Sequence, residues 1–299
     1  MGRGECSGLN LMLLFKNGDP APASTSAPPA PSMLGIPALL HQIWLGGHPL
    51  PARWADFSDR LQAMNPEFQY KRWGDVDADA LIAGTPYEPF YREWTNPGFR
   101  SDILRLLILQ QFGGIYLDTD CEPVRPLDCL RAGREAFLGA TFQPQPIHEV
   151  LVENAVIGSC PGHPFLASAL SAILAVCAIF SMDDFAKGVP NVVLLTGPGQ
   201  LSSVLTEYRH KPESLAFDVS VLPSRAFYPI VPGGEWQYAV RPAATRDEFP
   251  DTYLVHWWDG SWVRLQEDQK QSAHAQDVKQ LAATKQPAPK RAKKSETKP

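Results

Sequence analysis

The chain has 299 residues, of which 44% are hydrophobic and 20% charged, and its formal net charge is −5. This composition is that of an ordinary soluble protein with ample core, and the negative charge excludes an electrostatic case for nucleic-acid binding. The five cysteines are odd in number and show no CxxC spacing. They predict neither a zinc ribbon nor a disulfide framework, and they favour a reducing compartment such as the cytoplasm.

The two ends of the chain differ in composition from its middle. Residues 17–33 are rich in Pro, Ala and Ser, which predicts a disordered segment over residues 1–33. Residues 266–299 lose apolar periodicity and end in a basic, proline-containing sequence, which predicts a second disordered tail. A solubilising role is the simpler interpretation of that tail, and weak contact with an anionic membrane surface is the alternative. A single folded domain over residues 34–265 remains.

No segment predicts a transmembrane helix. Residues 9–15 are apolar but short, and no small-residue cleavage site follows them closely. Residues 165–180 are apolar but shorter than the roughly 18–20 residues that a bilayer span requires. Their Ala and Ser content favours a helix packed inside the domain.

The predicted elements of this domain alternate between strands and helices. In chain order they begin with a strand at 37–44, a helix at 54–64, a strand at 68–73, a short polar helix at 75–83 and an aromatic loop at 84–97. Later elements are strands at 135–142 and 153–159, the apolar helix at 165–180, a glycine-rich turn at 194–199 and short strands at 216–231. Such alternation is typical of an α/β sheet.

The most informative stretch is residues 99–122, which read FRSDILRLLILQQFGGIYLDTDCE. Its first part is apolar on nearly every side, which predicts a buried helix with Ser101 as N-cap and Gly113 as the C-terminal stop. Asp102 and Arg105 are three residues apart and therefore share a face of this helix. A charged pair in a buried helix is costly unless the two residues satisfy each other or bind a ligand.

A short apolar strand at 115–117 follows, with Asp118 and Asp120 at its C-terminal edge. Ligands of open α/β sheets bind just beyond the carboxyl ends of strands. Two carboxylates at i and i+2 suit a hard divalent cation that takes its other ligands from phosphate oxygens. The pattern therefore predicts a metal and phosphate site, with a solvated surface turn as the alternative.

The pattern SDxxRxxxLxxxGGxYxDxD resembles that of the DXD-type sugar transferases of glycosyltransferase family 32, which includes capsular-polysaccharide and yeast-type mannosyl transferases. The clostridial glucosylating toxins share the same core. HQIWLG at 41–46, ENAVIGS at 153–159, the TGP of 196–198 and HWWDGSW at 256–262 are similar to further family segments. The resemblance implies an α/β fold of the GT-A type, with a twisted, mostly parallel sheet flanked by helices.

The resemblance also implies roles for individual residues. Asp118 and Asp120 would hold Mn²⁺, or Mg²⁺ in its place, together with the donor's diphosphate. Asp102 and Arg105 would bind the donor sugar and complete a catalytic set with the two aspartates. The full donor-binding set is Ile43, Trp44, Asp102, Arg105, Tyr116, Asn154, Ser261 and Trp262.

Two of these residues have ordinary structural alternatives. An indole near a strand end, such as that of Trp44, can stack on the donor's base, but it can also belong to the core. Asn154 can contact the donor or acceptor, or it can be a structural asparagine in a turn.

A third metal ligand is expected near the end of the domain. His256 is the first choice and Asp259 the second. The family segment reads HHWxGSW, and here Trp257 replaces the second histidine, which leaves the identity of the third ligand open.

The residues and the resemblance together predict a metal-dependent glycosyltransferase that moves a hexose from a nucleotide sugar to a hydroxyl of a glycan. A UDP-linked donor is the first choice and a GDP-linked donor the second. The resemblance implies retention of the anomeric configuration. One alternative is a protein-glucosylating toxin or secreted effector of the same fold. Another is a binding module for sugar nucleotides or glycans that lacks catalysis. A DxDxT phosphatase is disfavoured because Glu122 stands where that motif requires Thr or Val.

Overall fold

A computed structural model of the chain describes residues 35–141, 151–180, 192–232 and 243–260, and all of them lie in one compact unit. The helices in these ranges are α1 (Ala52–Met64), α2 (Asp75–Ile82), α3 (Glu88–Glu93), α4 (Pro97–Phe112), α5 (Pro164–Ile179), α6 (Val192–Leu195) and α7 (Pro198–Tyr208). The strands are β1 (Leu39–Ile43), β2 (Gln69–Trp73), β3 (Gly114–Leu117), β4 (Cys121–Pro123), β5 (Ala136–Ala140), β6 (Val152–Ser159), β7 (Val219–Leu222) and β8 (Leu254–His256).

Six strands form one sheet in the order β2-β1-β3-β6-β5-β7. β1 pairs in parallel with β2 and β3, and β5 pairs in parallel with β7, whereas β6 runs antiparallel to both of its neighbours. β4 and β8 form a separate antiparallel pair. The predicted α/β fold, a mostly parallel sheet flanked by helices, is confirmed.

α4 is the buried helix that the sequence predicts. Its N-cap, however, is Asn96, whose side chain accepts hydrogen bonds from the backbone amides of Gly98 and Phe99. The prediction of Ser101 as N-cap is wrong, because Pro97 can occupy the first helical turn and Asn96 caps it, which adds a turn to the helix. The predicted stop at Gly113 is confirmed, with a φ of 65° that favours glycine.

The aromatic stretch at 84–97 is not a loop throughout. It contains α3, and the rings of Tyr87, Tyr91 and Trp94 are buried in the core. Trp94 packs on Phe99 of α4 with ring centroids 4.0 Å apart. These rings hold α3 against α4.

α5 is the apolar helix predicted at 165–180, and it packs inside the domain. It buries one face, which consists of Phe165, Leu166, Ala169, Leu170, Ile173 and Cys177. Among the residues that the structure describes, no helix is both long enough and apolar enough to cross a bilayer.

Two buried histidines stabilise this fold as neutral rings. His41 of β1 donates from Nε2 to the carbonyl of Gly113 at 3.0 Å and accepts at Nδ1 from the indole of Trp73 at 3.2 Å. His163 accepts at Nδ1 from the backbone amide of Phe165 at 3.1 Å and so caps α5. Burial lowers the pKa of each imidazole to about 4.

The free energy of unfolding should therefore fall as the pH drops below the ordinary histidine pKa of 6.5. In this range the two histidines bind protons in the unfolded chain but remain neutral in the folded chain. Each ring accounts for about 2 kcal/mol between pH 7 and pH 5. The variant His163→Asn keeps a capping side chain but removes one titrating group. Urea unfolding should show that this variant loses about 2 kcal/mol less than the wild type over that interval.

The matched control is His210→Asn, since His210 is exposed. Its loss of stability over the same pH interval should equal that of the wild type. Equal losses in all three proteins would show that burial of His163 does not oppose its protonation.

Candidate active site

A cavity of about 500 Å³ opens beyond the carboxyl ends of β1 and β3. The structure brings the predicted site residues that it describes to the lining of this cavity, namely Ile43, Trp44, Asp102, Arg105, Tyr116, Asp118, Asp120, Asn154, His256 and Asp259. Ser261 and Trp262, which the sequence also predicts, lie outside the described residues.

Asp102 and Arg105 form a buried pair on one face of α4. Nη2 of Arg105 lies 3.3 Å from Oδ1 of Asp102. The carboxylate also accepts hydrogen bonds from the Asn154 amide and the Thr196 hydroxyl, each at 2.8 Å. Burial raises the pKa of Asp102 to about 6, against the lowering effect of Arg105 and these hydrogen bonds. The pair is satisfied internally and still borders the cavity.

Thr196 is a residue of this cluster that the sequence does not single out. The predicted turn at 194–199 is instead the junction of α6 and α7, with Gly197 as the N-cap of α7. Thr196 is buried there, and its hydroxyl reaches Asp102. The resemblance of the TGP segment to the family is the one sequence signal that points to this residue, and its threonine donates the hydrogen bond to Asp102.

Arg105 forms with Asp102 the predicted sugar-binding pair, and its guanidinium also lies close to the first aspartate of the DXD motif. Nη1 lies 3.5 Å from Oδ1 of Asp118 and donates to the carbonyl of Asn154 at 2.7 Å. The hydroxyl of Tyr116 donates to the same Asp118 oxygen at 2.6 Å, and its ring lies 4.8 Å from the guanidinium carbon. Asp118 is thus oriented by two neighbours, while its side chain remains 28% exposed.

The second aspartate, Asp120, pairs with the predicted third ligand. Oδ1 of Asp120 lies 3.3 Å from Nε2 of His256, and Oδ2 of Asp118 lies 3.9 Å from the same nitrogen. Burial alone would raise the pKa of Asp120 and lower that of His256. Their mutual attraction outweighs burial, so the pKa of Asp120 is lowered and that of His256 raised.

A strained turn after β8 completes the environment of Asp120. Trp258 has a φ of 55°, in the left-handed region that non-glycine residues seldom adopt. Its indole donates to the carbonyl of Ile230 at 2.9 Å, and its ring lies 4.4 Å from that of His256. The turn brings the backbone amide of Asp259 to Oδ2 of Asp120 at 2.8 Å. Asp259 therefore supports Asp120 through its backbone.

Trp257, which replaces the family's second histidine, is not placed as a metal ligand. Consecutive residues of an extended strand point to opposite faces, so Trp257 points away from the side that His256 faces. Its ring is fully buried, and the guanidinium of Arg53 lies 4.5 Å above it. The replacement therefore does not disturb the contact between His256 and Asp120.

Trp257 instead contacts a buried carboxylate that sequence reasoning passed over. The indole donates to Oε2 of Glu122 at 3.0 Å. Oε1 accepts from Arg60 at 2.7 Å and from the backbone amide of Ala244 at 2.8 Å. Glu122 lies two residues after Asp120 of the DXD motif, and this network fixes β4 and β8 behind the two aspartates.

β6 is irregular where it meets the cavity. Leu138 of β5 pairs with Ile157, but the next residue, Gly139, pairs with Glu153, so residues 154–156 form a bulge opposite β5. Bulges re-aim side chains and are frequent beside active sites.

The bulge lets three consecutive residues, Glu153, Asn154 and Ala155, line the same cavity, which a regular strand would prevent. The carbonyl of Ala155 accepts from the backbone amide of Asp118 at 2.9 Å. With the Asn154 contacts, β6 supports both the sugar-binding pair and the DXD segment.

The donor set fits a divalent cation. Ligand atoms of Asp120, His256 and Cys121 lie within 4.8 Å of one another, and Asp118 is adjacent. Carboxylates and imidazole are suitable ligands for Mn²⁺. The Cys121 sulfur is a soft donor, which suits zinc or copper better than a hard ion such as Mn²⁺ or Mg²⁺. Asp118, Asp120 and His256 are the residues that could hold the ion.

Trp44 lies at the end of β1 and is half-buried at the cavity lining. Its indole donates to the carbonyl of His48 at 2.8 Å, which fixes the ring. Ile43 precedes it and is buried. A fixed aromatic ring beside an apolar side chain is a suitable stacking surface for a planar base.

The chain is similar in sequence to known sugar transferases. Residues 51–137 match the family described as a glycosyltransferase sugar-binding region containing a DXD motif. An inositol phosphoceramide mannosyltransferase of Schizosaccharomyces pombe is 28% identical over 236 residues, which cover 75% of this chain and 60% of that protein. A mannosyl phosphorylinositol ceramide synthase of Saccharomyces cerevisiae is 30% identical over 224 residues, which cover 70% of this chain and 53% of that protein.

Among solved structures, the PaToxG glycosyltransferase has a TM-score of 0.46 at 20% identity, over 58% of this chain and 70% of that chain. The chain spans between 53% and 60% of the length of the two yeast relatives. The family match and the named relatives confirm the predicted resemblance to DXD-type sugar transferases.

The different orientations of His256 and Trp257 can be tested with a pair of variants. His256→Ala should weaken Mn²⁺ binding in the presence of a nucleoside diphosphate by at least about tenfold, because a side chain that would coordinate the ion directly is lost. Trp257→Phe should lower the free energy of unfolding by about 1–3 kcal/mol, because Glu122 loses a buried donor. Titration calorimetry and urea unfolding measure the two quantities.

Each variant is the control for the other. Trp257→Phe should leave Mn²⁺ affinity within about twofold of the wild type, since its ring lies behind the site. A large loss of Mn²⁺ affinity in Trp257→Phe would contradict the assignment of His256 as the ligand from β8.

Proposed function

We propose that this chain transfers a hexose from a nucleotide sugar to an acceptor hydroxyl. The premise is that residues 51–137 match the DXD-containing sugar-binding region of glycosyltransferases. The observation that carries the proposal is the position of the Arg105 guanidinium. It contacts both Asp102, in the predicted sugar-binding pair, and Asp118, in the predicted diphosphate site. One cavity therefore holds adjoining sites for the two parts of a nucleotide sugar.

The donor would lie along the cavity from Trp44 to Asn154. The base would stack on Trp44 beside Ile43, and the diphosphate would lie at Asp118 and Asp120. The hexose would contact Asp102, Arg105 and Asn154, whose polar atoms converge at the other end. A UDP-linked hexose is the first candidate and a GDP-linked hexose the second. The names of the yeast relatives support mannose as the hexose.

The metal would be Mn²⁺, with Mg²⁺ as the alternative, held by Asp118, Asp120 and His256. When bound, such an ion neutralises charge on the leaving diphosphate. Contacts within the protein orient two of these ligands: Tyr116 and Arg105 contact Asp118, and the Asp259 amide donates to Asp120.

In the proposed reaction, the bond between the anomeric carbon and the diphosphate oxygen breaks, and its electron pair leaves with the nucleoside diphosphate. The acceptor oxygen approaches from the face that the diphosphate leaves, bonds to that carbon and gives its proton to an oxygen of the departing diphosphate. Asp102 and Arg105 hold the hexose in the orientation that this displacement requires, because their own positions are fixed by Thr196 and Asn154. The family resemblance supports retention of the anomeric configuration as part of the proposal.

The acceptor would be a hydroxyl of a glycan or of a sugar-like headgroup. Two relatives are named for inositol phosphoceramide or its mannosylated form, which makes an inositol-containing lipid headgroup the first acceptor to test.

A panel of UDP- and GDP-hexoses with Mn²⁺ tests the proposal. The wild type should release nucleoside diphosphate from one of them only when the metal is present. Asp118→Ala and Asp120→Ala should each reduce the release rate by about 100-fold or more, because the charge on the leaving group loses its stabilisation. A coupled assay for the free nucleoside diphosphate measures the rate.

Asp251→Ala is the matched control, since Asp251 is exposed and pairs with Arg225 away from the cavity. It should retain the wild-type rate. Full activity in Asp120→Ala would contradict the metal assignment. Donor binding without turnover in the wild type would instead identify a binding module.

A further inference from the structure

Glu153 lies at the described cavity lining, and neither the proposed donor site nor the proposed metal site uses its carboxylate. It directly precedes Asn154, which binds Asp102 of the sugar-binding pair. In a regular strand these neighbours would point to opposite faces. The bulge at 154–156 brings both of them to the same cavity.

The Glu153 carboxylate is held on one side only. Its Oε1 accepts a short hydrogen bond from the hydroxyl of Thr141, at the end of β5. The structure shows no hydrogen bond from a described residue to the second oxygen, Oε2. The pKa of Glu153 is raised overall, mainly by burial and to a lesser extent by the charge of Asp118. The Thr141 hydrogen bond and the charge of His256 oppose this rise. A carboxylate with one fixed oxygen is oriented to accept a further hydrogen bond.

The position of Glu153 indicates which group would supply that hydrogen bond. The base site is at Trp44, the diphosphate site at the DXD aspartates, and the hexose site at Asp102 and Asn154. Glu153 directly precedes Asn154 of the proposed hexose site and lines the same cavity, in which the transferred sugar must meet the second substrate. The reacting group of that substrate is a hydroxyl, which donates well to a carboxylate.

We propose that Glu153 binds the acceptor, by accepting a hydrogen bond from an acceptor hydroxyl at the hexose end of the cavity. The proposal rests on the proposed glycosyltransferase function and adds a residue for its second substrate. Thr141 is the positioning residue, because its hydroxyl holds the carboxylate in place without reaching the substrate.

The test compares acceptor use with donor binding in Glu153→Gln. The donor is the nucleotide sugar that the wild type turns over fastest, and the acceptor probe is inositol phosphoceramide in detergent micelles. Glu153→Gln should lower kcat/KM for the acceptor by about 10- to 100-fold, because a hydrogen bond to a charged group is lost. The Kd of the donor with Mn²⁺, measured by calorimetry, should stay within about twofold of the wild type.

Two further variants separate this role from a structural one. Thr141→Val should raise the acceptor KM by a smaller factor than Glu153→Gln, because it frees the carboxylate without removing it. Glu213→Gln, an exposed residue remote from the cavity, should match the wild type. The melting temperatures of all the variants show whether each one is folded.

The outcomes are distinguishable. An equal loss of donor affinity in Glu153→Gln would make Glu153 a donor residue and overturn the proposal. Unchanged acceptor kinetics in a folded Glu153→Gln would overturn it as well, and both results would leave the glycosyltransferase function intact. Absence of donor turnover in the wild type would remove the basis of both proposals.

Discussion

The buried guanidinium of Arg105 is the interaction on which the rest of the site depends. A charge with so little exposure is stable only when anionic and carbonyl oxygens surround it. Asp102, Asp118 and the Asn154 carbonyl supply those oxygens, and they come from α4, the end of β3 and the bulge of β6. The contacts of the Arg105 guanidinium therefore hold three separate segments of the chain around one cavity. Removal of Arg105 would leave two carboxylates without their shared partner.

Behind this cavity, a second polar network fixes the pair formed by β4 and β8. Glu122 accepts hydrogen bonds from Arg60, the Ala244 amide and Trp257, and it lies two residues after Asp120 of the DXD motif. His256 ends β8 and Trp257 directly follows it, so adjacent residues of one segment contact the two networks.

The sequence was most informative where one local pattern determines both structure and chemistry. The all-round apolar helix, its glycine stop and the apolar strand before Asp118 are local features, and the structure has each of them. The sequence was less informative about where a helix begins and about whether a short stretch forms a helix or a loop. Asn96 rather than Ser101 caps α4, and α3 forms within a stretch whose aromatic residues suggest a loop. The position of Pro97 decides where α4 begins, and the burial of Tyr87, Tyr91 and Trp94 accompanies the formation of α3.

The sequence by itself determined the α/β fold, the aspartate pair at a strand end and the shared helix face of Asp102 and Arg105. These follow from periodicity and from spacing along the chain. Only the tertiary structure decided that Thr196 reaches Asp102, that Trp257 faces Glu122, and that Glu153 turns into the cavity. Thr196 and Trp257 meet partners at least 94 residues away in sequence, and Glu153 depends on a register shift between two strands. Local patterns carry no information about such pairings, because the three-dimensional packing of the elements creates them.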